Sequence, residues 1–594
     1  MLPRRSTSRA ASAKPPSRAP SSRLVKVPEA SIPAANGNAK RRRVSDSGEP
    51  VAKKGRTSTA SVAGRGPKKI IGGINTIPSI PPTKTPHNSL FVWGTGDQGQ
   101  FGLGPDNLDE IGRPKLHSWF EEQIEEGNLS RDGKPGSGGL EYVYCGGMHT
   151  LAIDEAGRVR SWGINDNAAL GRITTDVPDP KNPDEMIPNE DLESYPYVVE
   201  TLEQEGFRAV QVAAGDSISV AISDKGELRA WGSFRSNEGI LGFDGVPGHP
   251  KFQYTPISLP ALSKVQITQV SCGADHVLAL TTTGHVYVWG KGEENQLGRR
   301  IISRRRINGL EPERLGLRNI VHVAAGIYHS FAVDNKGIVY GWGLNTFHQT
   351  GVAEHQDMII APTVVDALHP DKHNGSKVIK VSGGEHHSLF LFENGEVWGC
   401  GRCDANELGI AEDHPAFEGI KERREELQRE REERVAEKQK KLDEALKKDK
   451  VDEEEKQKAE MELSEAQATL KVPPSGEYVP EPVRICFPPI PEKYEVVPEF
   501  PAYKNSKPAD NPVVDISAGM RHNLAVSKSG HLYAWGYGSS NIDLAQLGLG
   551  SEEVAEVPSL VRSKLLRPYR SVAVSAGGQH CVALAVKKPD GEQN

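Results

Sequence analysis

The sequence predicts an all-β fold, a seven-bladed β-propeller closed by its N- and C-terminal strands, with a disordered basic N-terminal tail and a charged helical insertion. Three observations predict it. Two short marks, Trp-Gly and Gly-x-x-His, recur in tandem from residue 89 to residue 586 of the 594-residue chain. Short apolar runs separated by Gly-containing turns lie between the marks, so each period holds several short strands. The chain also enters the repeat halfway through one unit and leaves it halfway through another. A period of about 50 residues with four short strands is the signature of a propeller blade or similar array.

The tail comes first. Residues 1–85 are rich in Ser, Pro, Ala, Lys and Arg, a composition that buries too little apolar surface to offset its ordering entropy. Within it, residues 1–70 hold 17 Lys or Arg against 3 Asp or Glu. The chain's formal net charge is -7, so an arm of +14 precedes a body of -21. Such an arm points to a nucleic-acid or acidic-protein ligand. Arg4 and Arg5 at its start are assigned to chromatin contact. Lys40, Arg41, Arg42 and Arg43 form a cluster, followed by Lys53-Lys54 and Lys68-Lys69. Three basic clusters in one arm read as a nuclear-import signal, with importin alpha as the receptor.

The propeller occupies residues 86–590. Its Trp marks are Trp93, Trp162, Trp231, Trp289, Trp342, Trp398 and Trp535. The Gly-x-x-His elements end at His149, His276, His329, His387, His522 and His580, and a seventh copy ends at Ile218. The chain begins with the second half of a unit (residues 89–94) and ends with the first half (residues 571–586), which together make one blade. Closure of this kind leaves no long exposed edge, which an open array would have to cap. Between Trp398 and Trp535 the period is too long. Its excess, residues 418–470, is mostly Glu, Lys, Arg and Gln with few apolar positions. High helix propensity and opposite charges three or four apart predict a solvated helix or hairpin rather than a dimerising coil.

The sequence carries no phosphate loop, nucleophile elbow or strong metal spacing, so neither covalent catalysis nor a cofactor or metal is expected. Cys400 and Cys403 stand alone as a C-x-x-C and read as structural. The six cysteines are scattered, as in a reducing compartment. No apolar run approaches the ~18–20 residues of a membrane span, and the N-terminus lacks a hydrophobic signal core. A His required in nearly every repeat is expected to solve the repeat's own packing problem, as a buried ring bonded to backbone groups.

Function is expected where the repeat breaks. The sharpest break spans residues 209–242, where Ala-Gly-Asp216-Ser-Ile218 lacks His. There the loop after Trp231-Gly232 reads Ser233-Phe234-Arg235-Ser236-Asn237-Glu238-Gly239 instead of a form such as the Gln-Leu-Gly at 296–298. The residues between Gly and His, among them Asp216, Asp275, His386, Arg521 and Gln579, should emerge on one face of the disc, where loops on a rigid scaffold concentrate function.

These local features, with Asn165-Asp166 to Leu170-Gly171-Arg172 and Ser575-Ala-Gly-Gly-Gln-His580, resemble the regulator of chromosome condensation family. Members of that family are chromatin-bound guanine-nucleotide exchange factors for the Ran GTPase. The resemblance covers residues 89–586 and is that of a fungal-like member with a charged insertion outside the family core. It implies a Ran-binding face of Asp97, Asp216, Asp275, Arg299, His386 and His580, with a wedge at 232–242 that includes Ser233, Phe234, Arg235 and Asn237. It implies nucleosome docking, on histones and DNA, through Arg304, Arg305 and Arg306, and a nuclear location. Two departures stand out. Ile218 replaces the family's usual His. The start Met-Leu-Pro-Arg is not the small-Pro-Lys start that is methylated in animal members, so that modification is not expected. Exchange itself needs only differential affinity, because a partner that prefers the nucleotide-free GTPase weakens nucleotide binding by the same factor. The competing expectations are a propeller that serves only as a binding module or chromatin adaptor, and a nucleic-acid-binding structural protein driven by its tail.

Overall fold

The computed structural model describes residues 73–83, 85–180, 182–302, 307–447, 453–470, 477–491, 499–538, 545–550 and 554–589. Arg4, Arg5, the cluster at 40–43 and the Arg304, Arg305 and Arg306 triplet lie outside the described residues.

Among the described residues the strands pair into seven four-stranded antiparallel sheets and two small hairpins. Sheet 1 is composite. Asn88–Gly94 lies between Ile111–Leu116 and His580–Lys587, with Tyr569–Ala576 beyond. Sheets 2 to 7 follow in chain order, with first strands Leu140–Cys145, Ala209–Ala214, Ile267–Cys272, Ile320–Ala325, Val378–Gly383 and Val513–Ala518. Each first strand packs against the first strand of the next sheet, and Tyr569–Ala576 meets both Val513–Ala518 and Leu140–Cys145.

These first strands are free edges, and an unpaired backbone N–H there would be costly. Side chains of the preceding sheet satisfy them. Ser271 Oγ accepts from Ala325 N, Ser382 Oγ from Ala518 N, Ser517 Oγ from Ala576 N and Ser575 Oγ from Cys145 N, each at 2.9 Å. One layer away, Gln211 and Gln269 each bond both the N–H and the C=O of Val270 and Val323 respectively. Together the first strands line a cavity of about 640 Å³.

The recurring His and Trp build a relay between sheets. His149 Nε2 bonds Ser219 Oγ at 2.9 Å, and that hydroxyl donates on to Ala169 O, which also receives Trp231 Nε1. The same pattern links His276 to Ser330 and His329 to Ser388. His387 meets Asn523 Oδ1, His522 meets Cys581 Sγ, and His580 meets Thr150 Oγ1. Because the serine hydroxyl is already a donor, Nε2–H must donate to it, which fixes the neutral tautomer. The expectation of backbone partners is thus corrected: each ring bonds a side chain of the next sheet, and it is that side chain which reaches the backbone. Burial holds these rings well below their ordinary range, His149 to about 4 and His580 to about 3.

Two further expectations change. Trp398 is not the sixth mark. His387 pairs with Gly401, so Cys400 fills the tryptophan slot, and its Sγ lies 3.8 Å from Gln349 O where other units place an indole N–H. Trp398, two residues earlier, turns to Glu396 instead. The tail boundary also moves. Residues 73–83 are not free of the body, because Asn75 donates its N–H to Thr282 O and its Nδ2 to Thr281 O and Ile320 O. Arg131 bonds Pro81 O. This strap crosses the end of the sheets opposite the Gly-x-x-His turns.

The insertion forms two packed helices, Phe417–Leu446 and Glu453–Leu470. Lys438 pairs with Glu462 at 2.6 Å and Arg431 bonds Thr469 O. Ile420 packs with Cys403, Leu408 and Val479 at the base, and Arg424 grips Glu477 through both carboxylate oxygens.

Candidate functional site

Strand register fixes which loops share an end of the sheets. The Gly after each Trp pairs with the His of the same unit, as in His276 with Gly290 and His329 with Gly343. The Gly-x-x-His turns and the loops after Trp-Gly therefore emerge together. Asp97, Asp216, Asp275, His386, the 232–242 loop and the helical insertion all rise from this end, whose turns also rim the central cavity.

At the junction of sheets 3 and 4 the relay is lost on all its sides at once. Ile218 replaces the His, Val277 stands where other sheets carry the hydroxyl, amide or thiol partner, and the Gln-Leu-Gly loop is gone. The vacated polar positions become one apolar cluster containing Ile218, Val277, Trp289 and Phe234. Phe234, fully buried, is the side chain that the altered loop supplies. Ile218 is thus compensated, because its partner across the junction is apolar too.

Beyond Phe234 the loop forms a hairpin, Phe234–Ser236 paired with Gly239–Gly242. It leans over sheet 4. Arg235 N donates to Asp275 Oδ1 at 2.6 Å. Asn237 N donates to Glu293 at 2.9 Å, and Lys291 Nζ donates to Asn237 Oδ1 at 2.8 Å. Ser233 is buried and donates its N–H to Ser217 O.

The carboxylates here are unusual. Asp275 is buried, and desolvation with Asp216 nearby pushes its pKa up to about 7, although the Arg235 amide, Lys291 and Arg235 oppose the shift. Asp216 is exposed by area but crowded by protein at the cavity rim, which raises its pKa as well. His386, two sheets further round, is half-buried between Tyr328 and Phe347. Burial, with Arg402 and Arg521 close by, lowers it to about 4.

The remaining sequence-assigned residues separate. Asp97 is exposed and accepts from Gln98 and Gln100. Arg299 turns back to its own loop, pairing Glu313 at 2.8 Å and bonding Asn308 O and Glu311 O. His580 is fully buried in the relay with Thr150 and does not reach the surface. Sequence reasoning missed Lys291 and Tyr328. It also missed an ionic cluster beside His386, in which Arg521 reaches Asp404 at 2.6 Å and Glu407 at 2.7 Å while Arg402 reaches Asp404 at 2.7 Å. The available signal was the residue after each Trp-Gly or its Cys-Gly substitute, which changes from unit to unit and becomes Lys291 and Arg402 here.

What gathers at this end is a set of paired carboxylates, aromatic edges and a projecting hairpin on a rigid β-repeat scaffold, the kind of place where loops concentrate function. The chain belongs to the RCC1-like domain family, whose model matches residues 89–583. It is 33% identical over 524 residues to protein pim1 of Schizosaccharomyces pombe, covering 88% of this chain and 78% of that protein. It is also 33% identical over 517 residues to guanine nucleotide exchange factor SRM1 of Saccharomyces cerevisiae, covering 84% and 88%. The crystal structure of Prp20p from Saccharomyces cerevisiae, described with its binding properties to Gsp1p and histones, superposes with a TM-score of 0.62 at 31% identity, covering 85% of this chain and 92% of that one. Yeast RCC1 (Prp20) bound to Kap60 gives 0.63 at 29% identity, covering 90% and 97%.

Proposed function

We propose that this protein is a guanine-nucleotide exchange factor for the Ran GTPase, working on chromatin in the nucleus, with its seven sheets as the blades of a closed propeller. The observation that carries the reading is the concerted break between sheets 3 and 4, which gives up a relay used elsewhere and projects a hairpin beside Asp216 and Asp275. A structural repeat gains nothing from such a change, whereas a wedge entering a partner does. Relatives named as an exchange factor and as a binder of Gsp1p and histones support the same reading.

No covalent step is involved. Asp216, Asp97 and the ionised form of Asp275 supply negative charge, and a GTPase docked here would have its phosphate and Mg²⁺ site set against that charge while the hairpin displaces its switch region. Both effects favour the nucleotide-free form, and each ~1.4 kcal/mol of that preference weakens nucleotide binding about tenfold. The cluster at residues 40–43 recruits importin alpha, and the relative seen bound to Kap60 supports that assignment. Arg304, Arg305 and Arg306 dock on the acidic histone surface of the nucleosome, where a planar guanidinium can bond both oxygens of a carboxylate. The test is direct: mix the protein with Ran loaded with fluorescent GDP and follow release. A release rate equal to the spontaneous one would leave a chromatin-binding propeller without exchange activity.

A further inference from the structure

Lys291 follows Trp289-Gly290, at a position occupied in other units by residues as different as Thr95, Ile164 and Leu344. It is buried, with 5% of its surface exposed. Its Nζ reaches Asn237 Oδ1 at 2.8 Å, Glu294 at 3.0 Å and Glu293 at 3.7 Å, and lies 5.6 Å from the centre of the Tyr328 ring of sheet 5. Its backbone N–H donates to Asp275 O at 2.7 Å. One residue thus touches the tip of the hairpin, the carboxylate pair that holds the tip, the segment carrying Asp275 and the next sheet.

The hairpin needs such an anchor. It has two short strands and makes no strand pairing with sheet 3 or sheet 4, and an isolated hairpin is marginal in water. Its base is fixed by buried Phe234 and by the bond from Arg235 N to Asp275. At its tip Asn237 is held at three atoms, its N–H, Nδ2 and Oδ1 being engaged by Glu293, Glu294 and Lys291 respectively. Lys291 also balances the two acids it joins to the tip, because without the ammonium Glu293 and Glu294 would repel each other beside Asn237.

We propose that Lys291 is a positioning residue of the exchange face, locking the hairpin tip in one pose above Asp275. The proposal rests on the exchange reading above. Asp275 faces Asp216 from sheet 3, Arg235 from the hairpin, Lys291 from its own sheet and Tyr328 from sheet 5. Of the two cations among these, only Lys291 is also anchored to the hairpin tip. Its loss therefore acts on both the pose of the wedge and the charge under it.

The experiment compares the wild type with Lys291→Met and Lys291→Arg in the full-length protein. It reads hydrogen–deuterium exchange over residues 234–242 without any GTPase, and then release of fluorescent GDP from Ran across pH 6 to 8.5. Lys291→Met should speed amide exchange across the hairpin and lower kcat for release about tenfold with a smaller change in KM, since preorganisation acts beyond docking. It should also move the acid fall-off of the rate to higher pH, while Lys291→Arg restores both. Unchanged hairpin protection in Lys291→Met, or a lower rate with an unmoved pH profile, would overturn the proposal and leave Lys291 as packing. If the wild type releases no nucleotide, the exchange reading fails, and the hairpin protection then reports separately whether Lys291 is still the clamp.

Discussion

At the scale of single residues, the structure divides what one sequence pattern had joined. Asp216 and His580 both stand in copies of the repeated Gly-x-x turn, but one lies at the cavity rim and the other is buried between sheets. Asp216→Ala should therefore slow nucleotide release with a stability change within about 0.5 kcal/mol, read by release kinetics and thermal melting. Asp275→Ala should slow release and also destabilise by about 1–3 kcal/mol, because the Arg235 amide loses its acceptor at a buried site. Asp275 accepts most strongly from that amide when ionised, and its pKa stands at about 7. Release should thus weaken as pH falls through 7, and Asp275→Asn should flatten that limb. The acids of the turns were legible in the sequence because they interrupt a repeat. The joining of Lys291 to the hairpin and of Arg521 to the Arg402 loop was not, since Asn237 and Asp404 lie on neighbouring sheets, 54 and 117 residues away in sequence. The buried position of His580 was legible in principle, for it obeys the same pattern as five other histidines.

At the scale of elements, the strap shows where composition misleads. Residues 73–83 read as more of the disordered tail because they are Pro-rich and short of apolar residues. Yet three bonds from Asn75 fasten them across two sheets. Removing residues 1–72 should leave the denaturation midpoint unchanged, whereas removing 1–83 should lower it. Asn75→Ala alone should cost about 1–3 kcal/mol, from two side-chain bonds of ~0.5–1.5 kcal/mol each. Equal midpoints for the two truncations would make the strap a bystander. The strands themselves were well marked, because alternation and Gly turns act locally. The Cys400 substitution was not, because Trp398-Gly399 satisfies the mark and only strand register shows it displaced by two positions. The insertion's helicity followed from propensity, while its folding back on itself depends on few contacts, such as Lys438 with Glu462, that no heptad announces.

At the scale of the whole molecule, the relay ties stability to pH. Six buried neutral histidines have folded pKa values below their ordinary 6.5, among them His276, His522 and His580 at about 3 and His387 at about 4. The unfolded chain takes up protons first, so their contribution is complete above about pH 6.5 and is lost as pH falls toward the folded values. Carboxylates whose values burial raises, among them Asp275, Asp216 and Glu407, act in the opposite sense and offset part of that loss. Melting temperature should fall steadily from pH 6.5 to pH 4.5, and a flat profile would contradict the relay. The arm makes a separate prediction: deleting residues 1–70 removes 17 basic residues, so DNA affinity and its slope against salt should both drop, while nucleotide release in solution persists. That the two half-units share one sheet was legible from the sequence, and Asn88–Gly94 does pair with His580–Lys587. That pairing also governs how the protein is made. The first strand leaves the ribosome long before its partner exists, and at ~5–20 residues per second it waits on the order of a minute with a bare edge. A nascent chain stalled late in that interval holds several finished sheets and one that cannot form, so synthesis passes through a window in which that bare edge calls for chaperone cover.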